Sequence, residues 1–138
     1  MFVLDTDTLT HLLHGHPQVV ERVTRFADEV VIADASRMEV LRGRQDAVFK
    51  AADATALLRA RQLLLRTEEV LARLPLLMID KAAATEFEQL IGTKGLRRLG
   101  RGDLLNAAVA LANKATLVTR NLKDFGKVPG LKVENWVD

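Results

Sequence analysis

Short apolar runs alternate with longer stretches of helical periodicity along the chain. Residues 2–5, FVLD, read as a buried strand closed by a carboxylate. Asp5-Thr6-Asp7-Thr8 is rich in capping residues, so a short helix is predicted from there to about His14. Gly15 and Pro17 punctuate it, and residues 17–27 place Val19, Val20, Val23 and Phe26 on one face of a second helix. EVVIA at 29–33 is a second strand; Asp34 and Ser36 are expected to cap a third helix, which carries Glu39. Residues 53–74 repeat Leu57, Leu58, Leu64, Leu65 and Leu71 at helical spacing until Pro75 stops them. LLMI at 76–79 is a third strand, and 80–91 an amphipathic helix. Gly92 to Gly102 is a glycine-punctuated basic connection. DLLNAAVALANK at 103–114 is an alanine-rich helix whose small side chains suit close packing on a sheet. ATLVT at 115–119 is a fourth strand, a loop follows, and LKVENW at 131–136 is the last strand.

This alternation predicts an α/β fold: a mainly parallel sheet of four to five strands with helices on both faces. The length of 138 residues makes residues 1–138 a single domain. Hydrophobic residues at 49% are too many for a disordered chain. No apolar run approaches the roughly 20 residues a membrane helix needs. The first residues show no basic leader, and there is no cysteine for disulfides or thiolate metal sites, so a cytoplasmic protein is expected. The net charge of +2 is weak and hides scattered Lys and Arg beside acids at strand ends.

Ligands of open α/β sheets sit beyond the carboxyl ends of the strands. Asp5 lies at one such end, and Thr119 and Asn121 at another. Glu39 falls in the first turns of the helix after the second strand, and Asp103 opens the helix that feeds the fourth. Three carboxylates facing one crevice repel one another and call for a cation. Oxygen donors without Cys or His favour Mg²⁺ or Mn²⁺, and such an ion activates water and stabilises charge on a phosphodiester. Each acid also has a local reading. Asp5 can cap the first helix, Ser36 and Glu39 can form a capping box, and Asp103 can be a helix-start acid favoured by the dipole.

FVLDTDTLTHLL at the start, SRMEVLRG at 36–43, GDLLNAAVAL at 102–111 and LVTRNLKDFGKVPGL near the end together resemble the PIN-domain nucleases, most closely the VapC-type toxins of toxin–antitoxin pairs. The resemblance runs essentially end to end. It implies a parallel sheet sandwiched by helices, Mg²⁺ or Mn²⁺ held by Asp5, Glu39 and Asp103, and endonucleolytic cleavage of RNA. It also implies a cognate antitoxin and a homodimer as partners. The family often carries a fourth acid directly after Thr-Arg, where this chain has Asn121. Asn121 can orient a metal-bound water or take a ligand position but brings no charge; Asp124, three residues on, either supplies the missing acid or only caps a turn. Asp7 stands where the family usually has Asn. Thr6 and Ser36 carry hydroxyls that either hold carboxylates or cap helices.

Lys94, Arg97, Arg98 and Arg101 precede Asp103, Arg42 and Arg44 follow Glu39, and Arg120 follows the fourth strand. Around an acidic pit Arg42, Arg98, Arg101 and Arg120 would grip phosphates; otherwise they are solvated. Five Phe, one Trp and no Tyr make an aromatic base-stacking platform unlikely as the mode of recognition. His11, His14 and His16 lack a partner carboxylate or cysteine for zinc and read as surface residues. Phe125 and Trp136 read as packing residues. The leucine-rich helix at 53–74 and the helix at 7–14 are expected to be partner surfaces or ordinary core elements. Two other function classes fit parts of the chain. Asp5-x-Asp7 resembles the start of haloacid-dehalogenase phosphatases, although Leu9 stands where that motif has Thr or Val. A receiver-like domain would use Asp5, Asp7, Asp80 and Thr119 and leave Glu39 and Asp103 idle. A PIN domain that binds RNA without cutting it is a third alternative.

Overall fold

A computed structural model describes residues 1–138. Five strands, β1 (Phe2–Leu4), β2 (Val30–Ala33), β3 (Leu76–Leu77), β4 (Thr116–Val118) and β5 (Lys132–Glu134), form one sheet in the order β3-β2-β1-β4-β5. Every pairing is parallel, with Leu4 aligned on Ile32 to one side and on Val118 to the other. Seven helices connect them: α1 (Thr6–Leu13), α2 (Pro17–Arg25), α3 (Asp34–Lys50), α4 (Ala54–Ala72), α5 (Lys81–Ile91), α6 (Arg101–Ala112) and α7 (Leu122–Phe125).

Strand alternation assigns the two faces. Val3, Val31, Ala33 and Leu117 point into a core with Ala83 and Leu90 of α5, Leu104, Ala107, Ala108, Val109 and Ala110 of α6, and Phe125. Leu4, Val30, Ile32 and Val118 point the other way, onto Leu9, Val19, Val40, Leu71 and Trp136. The expected helices on both faces are therefore present. Trp136 and Phe125 are each 1% exposed, in keeping with their reading as packing residues. Phe2 and Phe26 lie 5.0 and 5.9 Å from the Trp136 ring, so the chain's end closes over the first strand.

Several expectations are corrected. Residues 17–27 hold a helix that ends at Arg25, followed by a single 3-10 turn, Ala27–Glu29. The third strand is two residues, Leu76–Leu77, paired with Ile32 and Ala33 at the sheet's outer edge. The alanine-rich helix begins at Arg101, two residues before Asp103. The loop after β4 contains α7, a single turn capped by Asn121. Asp34 and Ser36 do not cap α3: Asp34 is already its first residue and accepts instead from the Ile79 amide at 3.0 Å, tying α3 to the chain beyond β3. No helix is long and apolar enough to cross a membrane.

Candidate active site

All five strands end at the same edge, and the sequence-predicted acids gather there. Asp5 follows β1 directly and its amide donates to the Val118 carbonyl at 3.0 Å. Its Oδ1 accepts from the Thr8 amide at 2.8 Å, so the helix-cap reading is correct as far as it goes. Yet Asp5 is only 6% exposed, which a solvated cap does not require. Burial pushes its carboxyl pKa up, against the opposing pull of the Thr8 amide and the Thr119 hydroxyl.

The capping-box reading of Glu39 is not what the fold builds. Ser36 sits inside α3, fully buried, and Glu39 is exposed with its Oε1 accepting from Thr6 Oγ1 at 2.9 Å. The carboxylate rests against the start of α6: a Cβ added to Gly102 would lie 2.5 Å from Glu39 Oε1. Only glycine leaves this space open. Asp103 comes next in α6. Its Oδ2 accepts from the Gly100 amide at 3.2 Å, so the helix-start reading also holds. Burial raises its pKa, the Gly100 amide opposes this, and the charges of Glu39 and Asp124 raise it further. Asp103 therefore feels two other carboxylates.

Asn121 and Asp124 divide the role left open between them. Asn121 caps α7 through Oδ1, accepting from the Asp124 amide at 3.3 Å, and its Nδ2 donates to Asp124 Oδ2 at 3.2 Å. Asp124 Oδ1 is buried with no hydrogen-bond partner. Asp124 thus brings the free oxygen, and Asn121 orients it. The contacts close on themselves. Asp5 meets the Thr119 hydroxyl, which accepts from the Asn121 amide at 3.0 Å. Asn121 holds Asp124, which repels Asp103, which repels Glu39, which accepts from Thr6, the neighbour of Asp5. Four acids on four elements are linked in this way, with Asp103 feeling the charges of Glu39 and Asp124 directly.

As the side chains stand, no three His, Asp or Glu groups converge into a ready-made ion cage. The donor set nevertheless fits a hard divalent cation: carboxylate oxygens only, two acids with raised pKa values, mutual repulsion, and one buried oxygen without a donor. A small rotation of Glu39 away from Thr6 is the movement such binding calls for.

The basic residues separate into three groups. Arg42 and Arg101 line a cleft of about 240 Å³ with Glu39, Met38, Gly102 and Leu105. Arg101 also stacks over Phe87 at 5.2 Å. Arg98 is exposed on the connection before α6. Arg120 is engaged elsewhere: its Nε and Nη2 each donate to the Asp138 carboxylate at 3.1 Å. His16 caps α2, accepting from the Val19 amide at 3.5 Å, and His11 packs edge-on against it at 5.3 Å. Asp7 is exposed beside His11, and Asp80 caps α5 through the Ala83 amide at 2.9 Å. The charge of Asp7 acts on Asp5, whereas the Asp80 carboxylate is taken up as a helix cap.

Sequence reasoning missed two residues. In the sequence Gly102 ends a connection and opens GDLLNAAVAL, with nothing to mark its contact with Glu39. Asn106 is 1% exposed and accepts from Ser36 Oγ at 3.1 Å through its Oδ1. An Asn inside the apolar run DLLNAAVALA, three residues after Asp103 and so on its helix face, is the signal that could have found it.

Comparison with known proteins agrees with this geometry. A ribonuclease VapC2 of Rickettsia felis is 52% identical over 52 residues, a stretch covering 38% of this chain and 35% of that protein. A ribonuclease VapC1 of Haemophilus influenzae is 27% identical over 141 residues, covering 99% of this chain and 98% of that one. Among solved structures, VapBC2 from Rickettsia felis bound to a DNA fragment from its promoter superposes with a TM-score of 0.81 at 25% identity, covering 98% of both chains. The PIN domain family model matches residues 2–131, and with a five-stranded parallel sheet carrying its acids at one edge, this chain belongs to the PIN-domain family.

Proposed function

We propose that the protein is a metal-dependent endoribonuclease and the toxin member of a toxin–antitoxin pair. The closed ring of Asp5, Glu39, Asp103 and Asp124 at the carboxyl edge of a PIN-family sheet carries this reading. Asp5, Glu39 and Asp103 would hold Mg²⁺ or Mn²⁺, with Asp124 as the fourth acid. When bound, the ion would supply a water nucleophile and charge stabilisation for phosphodiester hydrolysis. The protein's own residues do the rest. Thr8 and Thr119 hold Asp5 in place, the Gly100 amide orients Asp103, and Asn121 turns Asp124. Arg42 and Arg101 border the cleft beside Glu39, where an RNA phosphate would lie.

A cognate antitoxin and a second copy of the chain are the proposed protein partners. α4 exposes Leu57, Leu58 and Leu65, and α3 exposes Phe49 at 89%, more apolar surface than its core face requires. The decisive experiment is incubation of RNA with purified protein and Mg²⁺ or Mn²⁺, with and without chelator. Metal-dependent internal cleavage leaving 5′-phosphate and 3′-hydroxyl ends is the expected result. Hydrolysis of a generic phosphomonoester in place of RNA would overturn the reading.

Two further outcomes follow from the geometry. Asp124→Asn should lower the cleavage rate about ten- to a hundredfold. Asn121→Ala, which removes a helix cap, should cost about 1 kcal/mol of stability and less activity than Asp124→Asn. Steady-state kinetics beside thermal melts separates the two, and the reverse ranking would assign the fourth position to Asn121. Arg42→Ala and Arg101→Ala should each weaken RNA binding with little change in sequence preference. Each should also reduce the slope of log affinity against log salt by about 0.7, the value for one phosphate contact on a single strand. Arg120→Ala should leave that slope unchanged, because Asp138 already holds its guanidinium.

A further inference from the structure

We infer that Asn106 is a positioning residue for Glu39: by taking the Ser36 hydroxyl proton it keeps Ser36 an acceptor toward Thr6, so that Glu39 can exchange the Thr6 hydroxyl for a cation. This rests on the nuclease reading above. It concerns three polar side chains buried or half-buried behind the acids, Thr6, Ser36 and Asn106, the last two of which that reading does not use.

Two hydroxyl hydrogens serve four acceptors here. Thr6 and Ser36 each have one hydroxyl hydrogen to give. Thr6 Oγ1 has two acceptors, Glu39 Oε1 at 2.9 Å and Ser36 Oγ at 3.3 Å. Ser36 Oγ also has two, Asn106 Oδ1 at 3.1 Å and the Leu4 carbonyl at 3.4 Å. The shorter bonds of each pair form together: Ser36 gives to Asn106, and Thr6 gives to Glu39. In this setting the lone pairs of Ser36 remain open toward Thr6. When the Glu39 carboxylate turns to a cation, the half-buried Thr6 hydroxyl swings its hydrogen to Ser36 and keeps a protein partner. A Thr6 hydroxyl without that second acceptor would favour staying on Glu39 and oppose the turn.

Without Asn106, the Ser36 hydrogen is contested between the Leu4 carbonyl and Thr6 Oγ1. A Ser36 that donates to Thr6 commits the Thr6 hydrogen to Glu39 and strengthens that bond by polarisation. Glu39 is then held back from the crevice. Ser36 and Asn106 are 0% and 1% exposed, so water does not take over either role.

The test is a double-mutant cycle read by calorimetric titration of Mn²⁺ into the full-length protein without RNA. Asn106→Leu should weaken Mn²⁺ binding about tenfold, the lower end of what losing a supporting partner costs. In a Thr6→Val background, where Glu39 has no hydroxyl to exchange, the same change should have little effect. Ser36→Ala should behave like Asn106→Leu in both backgrounds, and it decides the matter if Asn106→Leu does not fold. Circular dichroism melts confirm folding in each variant. Equal losses in both backgrounds, as a purely structural role would give, overturn the proposal, as does no loss in either. A parent protein that neither binds Mn²⁺ nor cuts RNA overturns the nuclease reading itself. A parent that does both, with an additive cycle, overturns only the role of Asn106.

Discussion

Asp5→Asn is expected to abolish Mg²⁺-dependent RNA cleavage while making the metal-free protein more heat-stable. The loss should exceed about a hundredfold, beyond what removal of a supporting partner costs, because Asn cannot bring the charge that holds a divalent ion. The gain in stability has the same cause. Asp5 is buried and its pKa is raised chiefly by desolvation, so the folded state resists its ionisation. A raised carboxyl pKa means that the folded chain binds the proton more tightly than the unfolded one. Its stabilising contribution is full below the ordinary aspartate value of about 3.9 and is lost as pH climbs through the higher folded value. Asp103 shifts in the same direction and adds to the effect. The melting temperature of metal-free protein should therefore fall as pH rises through that window. Asp5→Asn should flatten the fall, and saturating Mg²⁺ should offset it in the parent but not in the variant. Differential scanning calorimetry across pH, with paired RNA cleavage assays, reads both halves. Full cleavage by folded Asp5→Asn protein would remove Asp5 from the site.

Gly102→Ala should separate activity from stability in the opposite way to an ordinary core mutation. Gly102 is in the first turn of α6, where alanine is the better helix former by up to about 1 kcal/mol. Its φ is not positive, so the backbone tolerates a side chain. The only obstacle is Glu39, whose carboxylate carbon would lie 2.9 Å from the new Cβ. Glu39 is the far end of a flexible, exposed side chain, so it yields at little cost to folding. It then leaves the place where its charge acts on Asp103. The expected result is an unchanged or slightly raised melting temperature with RNA cleavage reduced at least about tenfold. An active Gly102→Ala protein would show that Glu39 works from a different position.

The fold was largely legible because strand and helix periodicities leave their mark locally. VVIA is a continuous apolar run, as a strand buried on both faces must be, and the leucine spacing of α4 is helical whatever it packs against. The boundaries that moved did so where a neighbour decides. β3 extends only as far as its pairing with Ile32 and Ala33 of β2, and Asp34 leaves its expected cap for an amide 45 residues away. The single turn of α7 was too short to show a period at all.

For the site, local chemistry and remote packing split in the same way. By itself the sequence determined which residues carry charge, that no thiolate or histidine set competes for a metal, and that Asp5, Glu39 and Asp103 flank strand ends, since these follow from residue type and short-range pattern. Only the tertiary structure decided that Asp5 is both a helix cap and a buried acid, that Glu39 is not a cap, that Asp124 has the free oxygen while Asn121 orients it, and that Arg120 is spoken for by Asp138. Each of these depends on groups far apart in the chain, whose distance and burial set hydrogen-bond partners and charge. Those quantities exist only once the backbone has brought the elements together.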